Sequence, residues 1–139
     1  MKNTDNEYRI TVSNRQTIDS ETDTIEETAY GNYTEKNGKQ YITYKTENDG
    51  DKISSMIKID GNEILIKRTG SVNSSMTYKV DTKKEFLYHL PYGTVPMEIG
   101  TQRIVSKLDE NGGTIELVYT LMVQGEKYFN DMKITVSKR

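Results

Sequence analysis

Residue pairs that favour tight turns recur along this chain at short intervals. They are Asn37-Gly38, Asp49-Gly50, Asp60-Gly61, Asn111-Gly112 and Gln124-Gly125. An Asn or Asp followed by Gly supplies the positive φ angles of a two-residue hairpin turn, and such signals about 8–12 residues apart are typical of a β-sandwich or β-barrel. The sequence therefore predicts a succession of hairpins.

Between these turns the side chains alternate with a period of two, as they do in strands. In residues 114 to 123, TIELVYTLMV, one face carries Ile115, Leu117 and Tyr119, and residues 127 to 138, KYFNDMKITVSK, alternate in the same way. Similar runs are YRITV, QYITYK, KISSMIKI, EILIKR, MTYKV and QRIVSKL, with a longer strand near TIEETAYGNYTEK. The pattern predicts about eight to ten strands.

The composition agrees with strands rather than helices. Val, Ile, Thr, Tyr and Phe together number 50 of the 139 residues, whereas Ala and Leu together number 7, and the first group favours pleated, half-buried strands. A long antiparallel sheet leaves exposed edges unless it closes. We therefore expect an all-β fold: one closed antiparallel meander barrel of about 8–10 strands, forming a single domain over residues 1–139.

One short segment competes with this interpretation. The run Thr82-Lys83-Lys84-Glu85 matches a helix capping box and precedes Phe86 and Leu87, so it could open a helix of one or two turns. The acidic patch IDSETDTIEET, residues 18 to 28, reads instead as a solvated hairpin.

Charge and residue content exclude several functional classes. The formal net charge of -2 lacks the positive surplus of a nucleic-acid-binding protein. With no Cys and one His, no zinc site and no cysteine nucleophile is expected. The run Asn48-Asp49-Gly50-Asp51 has oxygen ligands but lacks the later Glu of an EF-hand loop. No stretch approaches a membrane span, so the expectation is a cytoplasmic protein with no metal, no cofactor, no nucleic acid and no membrane partner.

Three stretches taken together resemble a known family. They are YITYKTEN, then IKRTG followed by SSMTYKV, then LPYGTVPMEIGTQRI with GGTIELVYTL after it. In that order and spacing they resemble the YwiB-like family of uncharacterised bacterial proteins over nearly the whole chain. The resemblance implies a calycin barrel related in shape to lipocalins, and it implies no catalytic or binding residues. Leu90 stands where a Thr commonly precedes the Pro-Tyr-Gly of the family, so any role of that hydroxyl is absent here.

The segment LYHLPYGTVPMEIG contains the only His, His89, and both prolines, Pro91 and Pro96. Pro91 holds the preceding residue extended, and Gly93 suits the end of a tight turn, so the segment is expected to bend the chain at one end of the barrel. His89 could act as a general base, but no nucleophile motif accompanies it. We therefore predict no catalytic residues.

Two arginines occupy unexpected positions in the alternation. Arg68 shares strand parity with Ile64 and Ile66, and Arg103 shares it with Ile99 and Val105, so in ideal strands both point inward. An inward arginine must be paired. Three interpretations stay open: a site for a ligand carboxylate, an internal ion pair, or escape to the surface through a bulge or a strand end.

Tyrosines complete the set of candidate ligand-binding residues, because a phenol can bury its ring and keep its hydroxyl bonded. The candidates are Arg68, Arg103, Tyr44, Tyr78, Tyr119 and Tyr92. The favoured hypothesis is a calycin-like barrel that binds a small amphipathic or anionic molecule without transforming it. The alternatives are a filled barrel that acts as a protein-interaction module or homodimer and, third, an enzyme that uses His89.

Overall fold

A computed structural model describes residues 7–90 and 92–139, and it is an all-β structure. Within these residues no helix is long and apolar enough to cross a membrane. The strands are β1 (Tyr8–Ile18), β2 (Glu21–Lys36), β3 (Lys39–Asn48), β4 (Asp51–Asp60), β5 (Glu63–Gly70), β6 (Ser74–Lys79), β7 (Lys83–Leu90), β8 (Gly93–Asp109), β9 (Gly112–Val123) and β10 (Glu126–Lys138). The predicted antiparallel meander barrel is confirmed.

The ten strands form one sheet in the order β6-β5-β4-β3-β2-β1-β10-β9-β8-β7. Every neighbouring pair is antiparallel, including β1 and β10, which pair in the middle of the sheet although they lie far apart in sequence. The seam of the barrel lies between β6 and the β7–β8 hairpin. Two isolated bridges close it there, Asn73 with His89 and Val80 with Thr101.

The predicted turn signals are confirmed as hairpin turns. Asn37 and Gly38 have φ angles of 55° and 77°, and Asp49 and Gly50 have 53° and 85°, which is the conformation that a two-residue turn of this kind requires. The acidic patch also forms a hairpin, with its turn between β1 and β2.

The predicted competing helix after Thr82 is wrong, because residues 83 to 90 form strand β7. The side chain of Thr82 does not cap a helix; its hydroxyl donates to the carbonyl of Lys79 at 2.6 Å. Strand β7 then gains a full ladder along β8, and this pairing outweighs the local capping signal. The predicted bend in LYHLPYG is the connection between β7 and β8, although Pro91 itself lies outside the described residues.

Pro96 lies inside β8, where it faces Leu87 of β7. On the other side of β8, the ladder with β9 begins only at Met97. The strand therefore has an open edge at Pro96, which is where a residue without an N–H is tolerated.

The two ends of the barrel differ. We call the end with the β1–β2, β3–β4, β5–β6, β7–β8 and β9–β10 connections the upper end, and the opposite one the lower end. The lower half is filled by buried aliphatic side chains: Ile10, Ile42, Ile57, Ile59, Ile64, Ile66, Ile115, Leu117, Ile134 and Val136.

Polar contacts across strands seal the lower end. Gln40 donates to the hydroxyl of Tyr33 at 2.9 Å and to the carbonyl of Leu108 at 2.6 Å. Tyr8 packs against Tyr33 and donates its hydroxyl to the carbonyl of Glu110 at 2.7 Å. Any access to the interior must therefore come from above.

Strands β2 and β3 separate toward the upper end. Their ladder runs only from Lys36 to Gly31 on β2, and Gly31 faces Tyr44 on β3. Beyond that rung, Glu21–Tyr30 pair with β1 and Lys45–Asn48 pair with β4. The two hairpins thus diverge from a vertex at Gly31 and Tyr44.

Gly31 allows the close approach of the two strands at this vertex. A Cβ atom at Gly31 would overlap the carbonyl oxygen of Thr43 and would lie 2.8 Å from the Cβ of Tyr44. We predict that Gly31→Ala lowers the free energy of unfolding by about 1–3 kcal/mol, the usual cost of overpacking. Urea denaturation measures the change.

Gly100→Ala is the matched control, because Gly100 is also a strand glycine with more space around it. A methyl group at Gly100 would have Nε2 of Gln102 as its nearest neighbour, 3.7 Å away. This control should stay within about 0.5 kcal/mol of the wild type. An equal loss in both variants would contradict the close approach at Gly31.

Candidate functional site

Four polar side chains lie in one row across adjacent strands near the upper end. Tyr44 on β3 faces Ser55 on β4, Ser55 faces Arg68 on β5, and Arg68 faces Ser74 on β6. We call these four residues the arginine row. Arg68 is half-buried, whereas the other three are buried. The predicted inward parity of Arg68 is therefore what the structure shows.

The guanidinium of Arg68 is the common neighbour of three buried phenols. Burial raises the pKa of Tyr44, Tyr78 and Tyr119 above the ordinary value near 10, and the positive charge of Arg68 acts in the opposite direction on the pKa of each. The rings of Tyr78 and Tyr119 meet edge to face, with their centroids 4.8 Å apart. Four of the six predicted site residues thus share one electrostatic environment inside the barrel.

Several buried polar atoms of this region have no hydrogen-bond partner within the described ranges. They are the hydroxyls of Tyr44, Ser74 and Thr101 and Oδ1 of Asn14. The Tyr44 hydroxyl lies near Arg68 and Ser55, and both lower its pKa against the larger effect of burial, but neither bonds to it with good geometry. A native interior leaves few such atoms unsatisfied. Two of them, the hydroxyls of Tyr44 and Ser74, belong to the arginine row, which marks the row as a polar site rather than packed core.

An amide cluster forms another part of the upper interior. Oδ1 of Asn130 accepts hydrogen bonds from Nδ2 of Asn14 at 3.1 Å and from Nε2 of Gln16 at 2.9 Å. Nδ2 of Asn130 donates to the carbonyl of Tyr128 at 3.1 Å. Asn130 also faces Tyr119 on the neighbouring strand, so the cluster connects to the phenols around Arg68.

A cleft of about 1330 Å³ lies between the diverging hairpins β1–β2 and β3–β4. Its lining includes Tyr44 and Ser55, two members of the arginine row, together with Ile25, Ala29 and Ile53. Ile25 is 66% exposed although it has the inward parity of β2. The cleft therefore joins an exposed apolar side chain at its mouth to the neighbours of Arg68 at its inner end.

Arg68 forms none of the ion pairs found among residues 7–90 and 92–139; these join Lys39 to Asp60, Lys52 to Glu47 and Arg103 to Glu116. The described residues therefore do not form the internal ion pair that was one of the three interpretations of Arg68 left open by the sequence. Escape through a bulge does not apply to Arg68 either, since its ladders with β4 and β6 are regular.

Arg103 reaches the surface through a bulge, which is one of the three interpretations that the sequence left open. A β-bulge between Thr101 and Arg103 places one extra residue, Gln102, in β8, and a single inserted residue reverses the parity of everything after it. The Arg103 side chain is 63% exposed, and its Nη2 lies 3.4 Å from Oε1 of Glu116. Such surface pairs contribute little to stability.

Tyr92 and His89 also lie outside the interior. Tyr92 is 86% exposed beside the β7–β8 connection. His89 is exposed on β7, next to the half-buried Tyr88, and its role in the structure is the bridge to Asn73 that closes the barrel seam. Neither residue is placed near Arg68 by the strand register.

Comparison with known proteins gives the family. The family described as "Domain of unknown function (DUF1934)" matches residues 10–136, which is almost the entire barrel. The chain belongs to this family. Its description names no activity, so the family establishes the fold and leaves the role of the arginine row open.

A relative and a solved structure support the same assignment. The chain is 29% identical over 118 residues to "Uncharacterized beta-barrel protein YwiB" of Bacillus subtilis (strain 168), which covers 84% of this chain and 83% of that protein. It is also similar to the crystal structure of the ywiB protein from Bacillus subtilis, with a TM-score of 0.88 and 26% identity over 95% of this chain and 91% of that chain. The predicted resemblance to the YwiB-like family is confirmed.

The sequence prediction missed the neutral polar residues of the site, which are Asn14, Gln16, Ser55, Ser74, Thr101 and Asn130. Ser55 carried a usable signal, since it shares parity with Ile57 and Ile59 on β4. Thr101 and Asn130 likewise share parity with buried neighbours, Ile99 and Met132. A search for polar residues on apolar faces would have found them.

The buried phenols predict how stability depends on pH. Because burial raises the pKa of Tyr78 well above its ordinary value, the unfolded chain loses the Tyr78 proton near pH 10 while the folded protein keeps it. The folded state then binds more protons, so stability falls as the pH rises above about 10.

We predict that Tyr78→Phe reduces the loss of stability between pH 9 and pH 11 by about 1.4 kcal/mol in total, because the unfolded chain releases one proton near pH 10 over this range. Urea denaturation between pH 9 and pH 11 measures the two slopes. Identical slopes in the wild type and the variant would show that Tyr78 ionises equally easily in both states.

Proposed function

We propose that this protein binds a small amphipathic molecule with an anionic head group at the upper end of its barrel, without transforming it. The observation that carries the proposal is the arginine row. It holds a half-buried guanidinium that pairs with no carboxylate of the described residues, next to the unpartnered hydroxyls of Tyr44 and Ser74.

A carboxylate is the head group that these residues suit best. Arg presents several N–H donors in a planar fork that matches a carboxylate, and the hydroxyls of Tyr44 and Ser74 can donate to the same oxygens. Taking Arg68 out of water is costly unless such a partner is present. A bound carboxylate would satisfy the guanidinium and the hydroxyls at once.

The cleft supports an apolar body for the same ligand. Ile25, Ala29 and Ile53 line it together with Tyr44, and its volume of about 1330 Å³ exceeds the roughly 300–1,000 Å³ of ordinary ligand pockets, so a small organic molecule fits within part of it. The filled lower half and the sealed lower end leave the upper half of the barrel as the region for binding.

The test uses decanoate as the probe and the thermal or urea stability of the protein as the readout. A ligand that binds only the folded state raises stability, by about 2.7 kcal/mol at one hundred times its dissociation constant. We predict that decanoate stabilises the wild type and that decanol, which has the same chain without the charge, does so much less.

Two variants locate the effect. Arg68→Met removes the guanidinium but keeps much of the side-chain length, and we predict that it loses the stabilisation by decanoate. Arg9→Met is the matched control, because Arg9 is exposed on the outer face of β1 and does not line the cleft, and it removes the same charge. Equal responses of both variants to decanoate would contradict the proposed site.

A further inference from the structure

The cleft is bordered by main-chain edges as well as by side chains. On β2, the ten residues Glu21–Tyr30 pair with β1 on one side and have no strand partner on the other among the described residues. On β3, Lys45–Asn48 likewise pair with β4 alone. Such edges carry N–H and C=O groups that an added extended chain can satisfy.

The gap between β2 and β3 has a shape that admits the end of a bound peptide but not its middle. The two edges converge at Gly31 and Tyr44, where the ladder between β2 and β3 begins. A strand laid between the edges cannot continue past that vertex, because a side chain or backbone there meets the packed Gly31 and Thr43. A peptide that enters the gap therefore ends at the vertex.

The charge at the vertex determines whether the N-terminal or the C-terminal end of a peptide is favoured there. Tyr44 lines the cleft, is only 4% exposed and has an unpartnered hydroxyl. Burial raises the pKa of that hydroxyl, and the positive charge of Arg68, which does not itself line the cleft, lowers it by more than the nearby carboxylate of Glu27 raises it. A terminal carboxylate is stabilised beside Tyr44 and Arg68, whereas a terminal ammonium is repelled.

The lining of the cleft as a whole is acidic. It includes five carboxylates, Glu26, Glu27, Glu47, Asp49 and Asp51, against two ammonium groups, those of Lys45 and Lys67. Glu27 acts on Tyr44 at the inner end, and Glu47, Asp49 and Asp51 lie at the β3–β4 turn, which is the mouth. Basic side chains are favoured there by complementary charge, which also speeds association. The exposed Ile25 offers an apolar contact farther from the vertex than Glu26 and Glu27.

We propose that the ligand of the cleft is the C-terminal segment of a basic peptide, which adds as a short strand between β2 and β3 with its carboxylate at Arg68 and Tyr44. This inference rests on the proposed function, because it names the molecule whose carboxylate the arginine row binds. The bound segment runs antiparallel to β3, whose free edge matches about four residues, or roughly 13 Å of extended chain.

The direct test is a peptide series measured by calorimetry or fluorescence anisotropy. The probe is acetyl-Lys-Thr-Lys-Thr-Val with a free terminal carboxylate. We expect its amide to bind about tenfold more weakly or worse, because a charge-assisted hydrogen bond to Arg68 is lost. The analogue with Glu in place of Lys should also bind about tenfold more weakly, because it meets the acidic mouth.

Backbone methylation tests the added strand itself. N-methylation of alternate residues removes the N–H groups that point to one neighbouring edge, so we expect one of the two alternating sets to weaken binding about tenfold more than a side-chain change of similar size. Equal affinity of all methylated peptides would overturn strand addition.

Protein variants separate the two ends of the site. Arg68→Met should lose the preference for the free carboxylate over the amide, whereas Arg9→Met, at an exposed arginine outside the cleft, should keep it. Glu26→Lys should weaken binding of the basic peptide. Glu35→Lys should leave the binding unchanged, because Glu35 lies in the part of β2 that is already paired with β3. An unchanged preference in Arg68→Met would overturn the carboxylate position.

The outcomes distinguish this inference from the function on which it rests. If decanoate stabilises the wild type through Arg68 and no peptide of the series binds, the site takes a small carboxylate and the peptide inference fails alone. If Arg68→Met changes neither the stabilisation by decanoate nor the binding of any peptide, the proposed function and the peptide inference both fail. A dimer that forms through the cleft, seen by sedimentation and abolished by Glu26→Lys, would replace the peptide with a second copy and would also overturn the inference.

Discussion

The structure depends on how it accommodates one positive charge inside a barrel. A guanidinium that is withdrawn from water loses hydration that only charged or strongly polar neighbours replace. Around Arg68 the replacement is partial: three phenols, two serine hydroxyls and no ion pair with a carboxylate among the described residues. The polar composition of the upper half follows from this requirement, and so does the opening toward solvent between β2 and β3.

The lower half of the barrel contains no such buried charge among the described residues, and the same strands fill it with apolar side chains. There the inward positions are occupied by isoleucine, leucine and valine, and the end is sealed by Tyr8, Tyr33 and Gln40. This filled half supplies the apolar burial that stabilises a barrel. It lets the upper half carry unpartnered hydroxyls and an incomplete ladder, since binding sites are commonly built from the less stable part of a fold.

The sequence predicted much of this arrangement, because alternation and turn chemistry act locally. Parity alone placed Arg68 and Tyr119 inside the barrel, and the Asn-Gly and Asp-Gly pairs located the turns. The same parity misplaced Arg103, because a bulge inserts one residue and leaves no clear trace in the alternation. The capping signal before β7 favours a helix because it is local, while the pairing of β7 with β8 forms across a hairpin.

The separation of β2 from β3 could not be predicted in this way. It depends on where one ladder stops, and Glu21–Tyr30 alternate no differently from a strand that is paired on both sides. Gly31 is the one residue that marks the point, and a single glycine within a strand pattern is equally typical of a bulge or a sharp bend. The open edge and the cleft are therefore properties of the assembled sheet rather than of any segment.

The most direct test of the arginine site is guanidinium NMR of protein labelled with nitrogen-15 at its five arginines. Arg9, Arg15, Arg103 and Arg139 serve as internal controls for Arg68. On addition of submicellar decanoate, the predicted result is a shift of the Arg68 Nε–H signal and slower exchange of its proton, with the other four signals unchanged. An Arg68 signal that does not respond, or five signals that move together, would contradict an anion site inside the barrel.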